Sequence, residues 1–173
     1  VFVDKVLSYE TDPPLSDYVL SSLFMGFDLD SLTPTEQMKD EIDCASVPPR
    51  FDPITKVYDS DPGNHHDDAL AALDAGRHIV NHSDHCNQYV IGVGSMNHGW
   101  HITIGEVRSL SNGERQSILY SLGCWSCAFD YDDAIGEEFV QNPDGGCVAY
   151  IGNSRSGWYN PGTFNTLSCK MDK

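Results

Sequence analysis

Two short polar clusters hold most of the residues whose types could do chemistry. The first reads Asn81-His82-Ser83-Asp84-His85-Cys86 and the second Gly123-Cys124-Trp125-Ser126-Cys127. A cysteine and a histidine brought together would support thiol acyl transfer. The thiolate is then the nucleophile, and the imidazole lowers its pKa or relays its proton. Such a nucleophile has to stand at a loop edge, with amide N–H groups nearby to hold an oxyanion. Gly123 permits the sharp exit from a strand that this placement needs. A third polar cluster, Asn153 to Trp158, follows an apolar run. Taken singly, His85 could be a hydrogen-bonded structural group and Cys124 a small packing residue. It is their combination that points to chemistry.

The same residues allow other constellations. His82, His85 and Cys86 with Cys124 and Cys127 have the ligand types and number for tetrahedral zinc, although that site would leave the third cluster unexplained. Cys124-x-x-Cys127 is also the spacing of a redox pair, but no proline lies between the cysteines and an acidic loop, FDYDD, follows in place of a long helix. A disulfide from Cys86 to Cys124 or Cys127 would mask the nucleophile until reduction. Asp130, Asp132, Asp133, Glu137 and Glu138 could offer calcium its hard oxygen ligands. They also fit the acidic start of a helix, and their spacing is not that of an EF-hand. His65-His66-Asp67-Asp68 fits a helix start in the same way and is assigned no metal. His98 and His101 flank Trp100 in a loop expected to cover the site.

These clusters need elements to carry them. Strand-like and helix-like stretches alternate along the chain, the pattern of an α/β domain with a largely parallel sheet. Tyr18 to Phe27 is apolar enough for a buried strand or a short helix. Thr33-Pro34-Thr35-Glu36 reads as a helix start with Thr33 as cap, and that helix would bury Met38 and Ile42 and stop before Pro48-Pro49. Ile54 to Tyr58 reads as a strand, and Asn64 as the cap of a helix ending at Gly76. Three apolar runs, 78–81, 117–123 and 147–152, each end at one of the polar clusters. In open α/β sheets ligands bind beyond the carboxyl ends of the strands, so the three clusters are expected at one rim.

Composition narrows the function classes. The 173 residues suit one domain, 1–173, with a real core, and 40% hydrophobic with 21% charged residues is ordinary for a globular chain. Ten basic against 26 acidic residues give a net charge of −16, which argues against a nucleic-acid partner. Such acidity suits basic peptides, divalent cations or solubility in an extracellular or saline setting. No apolar run is long enough to span a membrane. Six cysteines at irregular spacing are too few for a disulfide-dense scaffold. A start at Val1 reads as a mature or excised piece of a longer chain.

From Ala75 to Pro161 the order of motifs resembles the catalytic core of the gingipain-type cysteine peptidases, a caspase-like α/β family. That family has a strand ending in Asn, an aromatic, Thr or Ser, and Gly-His-Gly; here Asn81 to Cys86 occupies the pattern. Ser121-Leu122-Gly123-Cys124 resembles its nucleophile strand, with Phe129 at a matching aromatic position. Gly146 to Ile151 and Ser156 to Pro161 resemble a later strand and loop. The resemblance implies a caspase-like fold, possibly lacking part of the N-terminal side. It also implies His85 and Cys124 as the dyad, the amides of Cys86 and Cys124 as oxyanion donors, and Trp158 in the wall of the primary specificity pocket.

Two departures stand out: Asp84 and Cys86 replace the glycines that flank the family's histidine. Asp84 is expected to set a carboxylate beside the imidazole and favour its charged form. Cys86 keeps the amide but adds a side chain at a crowded point. The family's upstream group that orients the histidine has no assignable counterpart. The expectation is a cysteine endopeptidase acting on peptides or proteins, extracellular or in the cell envelope, with no cofactor required. The alternative is an inactive or zinc-stabilised binding domain.

Overall fold

The computed structural model describes residues 1–162. The chain opens with α1 (Phe2–Thr11) and a 3₁₀ turn, then enters β1 (Ser22–Gly26), every residue of which is buried. Helix α2 (Glu36–Ser46) leads to β2 (Thr55–Tyr58), and α3 (His65–Asp74) leads to β3 (Ile79–Ser83). A small antiparallel sheet follows, made of β4 (Cys86–Asn87), β5 (Val90–Gly92) and β6 (His101–Thr103). The short helix α4 (Ile104–Arg108), then β7 (Ser117–Ser121), α5 (Ile135–Gln141) and β8 (Cys147–Ile151) complete the order.

The main sheet runs β2-β1-β3-β7-β8 and is parallel throughout. Strand order reverses between β1 and β3, the switch point where the loops on either side diverge and leave a crevice. The period of two along β1 divides the core. Leu23 and Met25 join Val80 and Leu119 with Ala69 and Leu73 of α3 and Ile135 and Phe139 of α5. Phe24 faces the other way, with Met38 and Ile42 of α2, Tyr58 and Leu122. Helices therefore cover both faces, which is why the strands read as continuous apolar runs.

Strand placement follows the sequence expectations closely, as do Asn64, which accepts from the His66 and Asp67 amides as the cap of α3, and Gly76, which closes that helix at φ +73°. One helix start does not. Thr33 is not the cap of α2: its hydroxyl donates to Asp30, and the helix begins at Glu36 after Thr35, whose own hydroxyl donates to Phe27 O. Helix α1 and the β4–β6 sheet were not legible beforehand. Lys5 ties α1 down: its buried ammonium donates to Phe139 O (3.3 Å), Asn142 O (3.2 Å) and Gly145 O (2.8 Å), at and just beyond the end of α5. Cys169 lies outside the described residues.

Candidate active site

The carboxyl ends of β1, β3, β7 and β8 deliver their loops to one edge of the main sheet. There Leu29, Asp84, His85, Leu122, Gly123, Cys124, Gly157, Trp158, Tyr159 and Pro161 line a cavity of about 350 Å³. The parallel pairing of β3 with β7 continues past the strands through Leu122 N–H to His82 O (3.2 Å), so the two polar clusters leave the sheet side by side.

His85 is held by the loop after β1. Its Nε2 lies 2.8 Å from Leu29 O, and because a carbonyl can only accept, Nε2 carries the proton and Nδ1 is the basic nitrogen. The Tyr159 hydroxyl donates to the same carbonyl at 3.3 Å. Asp30 lies close enough for the charge of His85 to act on it. Burial is the largest single influence and raises its pKa, but hydrogen bonds from the Leu32 amide, Tyr159 and Thr33, together with that charge, outweigh it and hold the carboxyl below its ordinary range.

Asp84 does not stand beside the imidazole as the sequence suggested. Its carboxylate is fully buried and turned toward the loop after β5. There it accepts from the Gly94 amide (2.8 Å), the Ser95 amide (3.0 Å) and the Ser95 hydroxyl (2.5 Å), as well as the His85 amide (2.5 Å). The reason is satisfaction: a buried carboxylate needs donors, and the backbone of 94–95 supplies them. Asp84 is thus an anchor between β3 and the 94–95 turn.

Cys124 follows β7. The Gly157 amide donates to its Sγ at 3.3 Å and Sγ faces Gly157 O at 3.9 Å, so Gly157 fixes the position of the sulfur. Gly157 is needed for that approach, since a Cβ there would lie 2.9 Å from both Leu122 O and Asn153 Nδ2. Asn153 ties the two loops together by donating to Leu122 O (2.7 Å) and Gly123 O (3.2 Å). The next residue, Trp125, has φ of 60°, a left-handed conformation that a bulky side chain pays to adopt. Its amide donates to Arg155 O, its indole donates to Ser156, and the Arg155 guanidinium lies 5.2 Å from its ring centre. The loop after β8 therefore holds the turn at the nucleophile in shape.

Cys86 fits where a glycine was expected because Gly123 yields the room. A Cβ at Gly123 would fall 1.9 Å from Cys86 Sγ. Burial pushes the Cys86 thiol up to about 12, against the pull of the Gly92 amide. The Gly92 N–H to His85 O bond (2.8 Å) makes residues 85 and 92 a bonded pair. Antiparallel ladders alternate, so Cys86 opposite Ile91 is the non-bonded position and its amide is directed away from β5.

The five residues of the zinc alternative do not share a site. His82 is fully buried, with Nδ1 against the Ser121 hydroxyl (2.8 Å) and Nε2 against Gly92 O (2.7 Å), so both ring nitrogens are occupied. Cys127 is buried away from the cavity, its thiol raised to about 11 by burial, and it is not paired with Cys124. Cys86 is likewise a free thiol. The acidic run is spread over other partners: Asp130 pairs with Arg155, Asp133 and Glu138 with Arg108, and Glu137 accepts from the Ala134 amide at the start of α5. Trp158 is 80% exposed and forms an outer wall of the cavity. The 98–101 segment does not cover the cavity; His98 stacks on Trp100 beside His65 instead. Leu29 is not singled out by the sequence, and Gly157 and Asn153 enter only as members of the 153–158 cluster. Two of the three act through the backbone, which leaves no side-chain signal to read.

The model of Peptidase family C25 matches residues 1–171. No curated protein matches. Among solved structures, one titled "Structure of Protease" superimposes with a TM-score of 0.76 at 19% identity, over 91% of this chain and 34% of that one. The Arg-specific cysteine proteinase gingipain R (RgpB) gives 0.76 at 18%, over 98% and 41%. A complex of the Porphyromonas gingivalis RgpB pro- and mature domains gives 0.70 at 16%, over 99% and 41%. The chain thus spans well under half the length of these structures, and its fold is theirs over that span.

Proposed function

Because the chain belongs to peptidase family C25, we propose that it hydrolyses peptide bonds by thiol acyl transfer, with Cys124 as nucleophile and His85 as proton carrier. The observation that carries this reading is that both side chains line one cavity at the carboxyl edge of the sheet, beside its switch point. His85 Nδ1 takes the thiol proton, and Cys124 Sγ attacks the carbonyl carbon. The oxyanion forms against the amides of Cys86 and Cys124. As the C–N bond breaks, the imidazolium returns the proton to the leaving amine, and an acyl thioester remains on Cys124. Water then attacks the thioester with His85 as base, releasing the acid and restoring the thiol.

Several features support these roles. Leu29 O fixes the imidazole tautomer and orientation, and the Gly157 amide holds the sulfur in place. Asp30 places a carboxylate near the imidazolium that forms. Trp158, Tyr159 and Leu122 give the cavity an apolar wall for a substrate side chain or peptide plane. The partner is accordingly a peptide or protein, with no cofactor in the chemistry. Among the described residues no helix is long and apolar enough to cross a membrane. Quenched fluorogenic peptide pools test the proposal: the protein should cleave a subset, and Cys124→Ala should lower the rate by about a thousandfold or more. Undiminished cleavage by Cys124→Ala would exclude the role given to the thiol.

A further inference from the structure

We propose that Asp59, His65 and His98 form a binding site for a divalent transition cation of the zinc type, separate from the cysteine cavity. The three come from different elements: Asp59 follows β2, His65 opens α3, and His98 lies between β5 and β6. One ligand atom from each falls within 4.8 Å of the others, and among the described residues no other set of three such side chains converges in this way.

The geometry is that of a prepared site. Asp59 Oδ2 is held by the Asp28 amide (2.7 Å) and by Asn97 Nδ2 (3.3 Å), which turns Oδ1 inward. Oδ1 is buried with no hydrogen-bond partner, and the Asp59 side chain is 5% exposed. His98 Nε2 stands 3.6 Å from it and His65 Nε2 4.0 Å, both too far for a hydrogen bond. His65 is 2% exposed, and its Nδ1 is also without a partner. An orphaned buried carboxylate oxygen facing two imidazoles is costly unless something sits among them. A tetrahedral ion with bonds of about 2.0–2.1 Å places its ligand atoms about 3.4 Å apart. The two imidazoles stand 3.6 and 4.0 Å from Asp59 Oδ1 and all three atoms lie within 4.8 Å of one another, so binding draws the ligands inward, His98 on its exposed loop moving most readily.

The surroundings fix the rings and leave space. Trp100 stacks on His98 at 4.3 Å and meets His65 edge-on at 5.3 Å. Gly94 has φ of +95°, and a Cβ there would lie 3.1 Å from both Asp59 Oδ1 and His98 Cδ2. Two nitrogens and one carboxylate suit zinc over calcium or magnesium, and leave a fourth position for water. His98, at 35% exposed, provides the way in. Gly94 and the neighbouring Ser95 also hold Asp84, next to His85. The ion would therefore pin the loop that anchors the exit of β3.

Zinc titration of chelator-stripped protein, in competition with a chromogenic chelator, tests the site. The Cys124→Ala background removes the thiol that could bind zinc on its own account. One equivalent should bind in that background, and His98→Ala should weaken it by at least ~10-fold with an unchanged far-UV circular dichroism spectrum. Cobalt in the unmutated protein should give visible d–d bands with no thiolate charge-transfer band, a readout independent of any variant. No bound equivalent in Cys124→Ala, unchanged affinity in His98→Ala, or a thiolate band as the only cobalt signal would overturn the proposal.

Discussion

A methyl group at Gly123 would meet Cys86 Sγ at 1.9 Å, Cys86 Cβ at 2.6 Å and Asp84 O at 3.0 Å. Gly123 does not use a left-handed φ, so alanine there carries no backbone penalty and its cost is steric. Overpacking costs typically about 1–3 kcal/mol, and contact this short belongs at the upper end. With a urea m-value of about 2 kcal/mol/M, Gly123→Ala should lower the unfolding midpoint by roughly 1.5 M. Cys86→Gly deletes the two shortest contacts and leaves only Asp84 O, so the same Gly123→Ala change made in Cys86→Gly should cost far less. The expected coupling is about 2 kcal/mol, read from urea unfolding of the four proteins in a double-mutant cycle. Peptide cleavage should fall in the single variant and recover in the double. Additivity within about 0.5 kcal/mol would refute the view that Gly123 exists to make room for Cys86.

Two further outcomes follow from the site. Gly157→Ala would push the loop off Leu122 O and Asn153, removing the amide that donates to Cys124 Sγ. The rate at which iodoacetamide alkylates Cys124 at fixed pH should then change severalfold, while the rate at exposed Cys44 stays put; an unchanged rate at Cys124 would deny the amide its role. Burial raises the thiols of Cys86 and Cys127 from 9.0 to about 12 and about 11. The unfolded chain ionises first, so the stability these thiols contribute is complete below pH 9 and lost progressively from there to about pH 11 for Cys127 and about pH 12 for Cys86, at up to about 1.4 kcal/mol per pH unit for each. Urea midpoints between pH 8 and 11 should decline accordingly, less steeply in Cys127→Ala; parallel declines would contradict the burial argument.

The sequence revealed more about where the clusters meet than about how they are held. Strands β3, β7 and β8 announce themselves because a parallel sheet covered on both faces demands apolar runs, whereas the run that holds β1 reads equally as a short helix. Each of these runs ends at a polar cluster, which is why the sequence points to one rim for His85, Cys124 and the 153–158 loop. Strands β4 to β6 are two or three residues long and too short to display a period. Asp84 departs from the sequence expectation because adjacency in sequence says nothing about direction: His85 turns to Leu29 O while Asp84 turns to Gly94 and Ser95. His65 looked like an ordinary first-turn residue, and only folding brings it to Asp59 and His98. The compensation between Cys86 and Gly123 was equally hidden, since it is a contact between loops of two different strands.

The most direct measurement is covalent labelling with a peptidyl acyloxymethyl ketone, followed by mass-spectrometric mapping of the modified residue. The predicted result is one adduct per chain, on Cys124, absent from Cys124→Ala and slowed in His85→Ala. An adduct on Cys86, Cys44 or Cys127 in place of Cys124, or no adduct in folded protein, would contradict the assignment of Cys124 as the nucleophile.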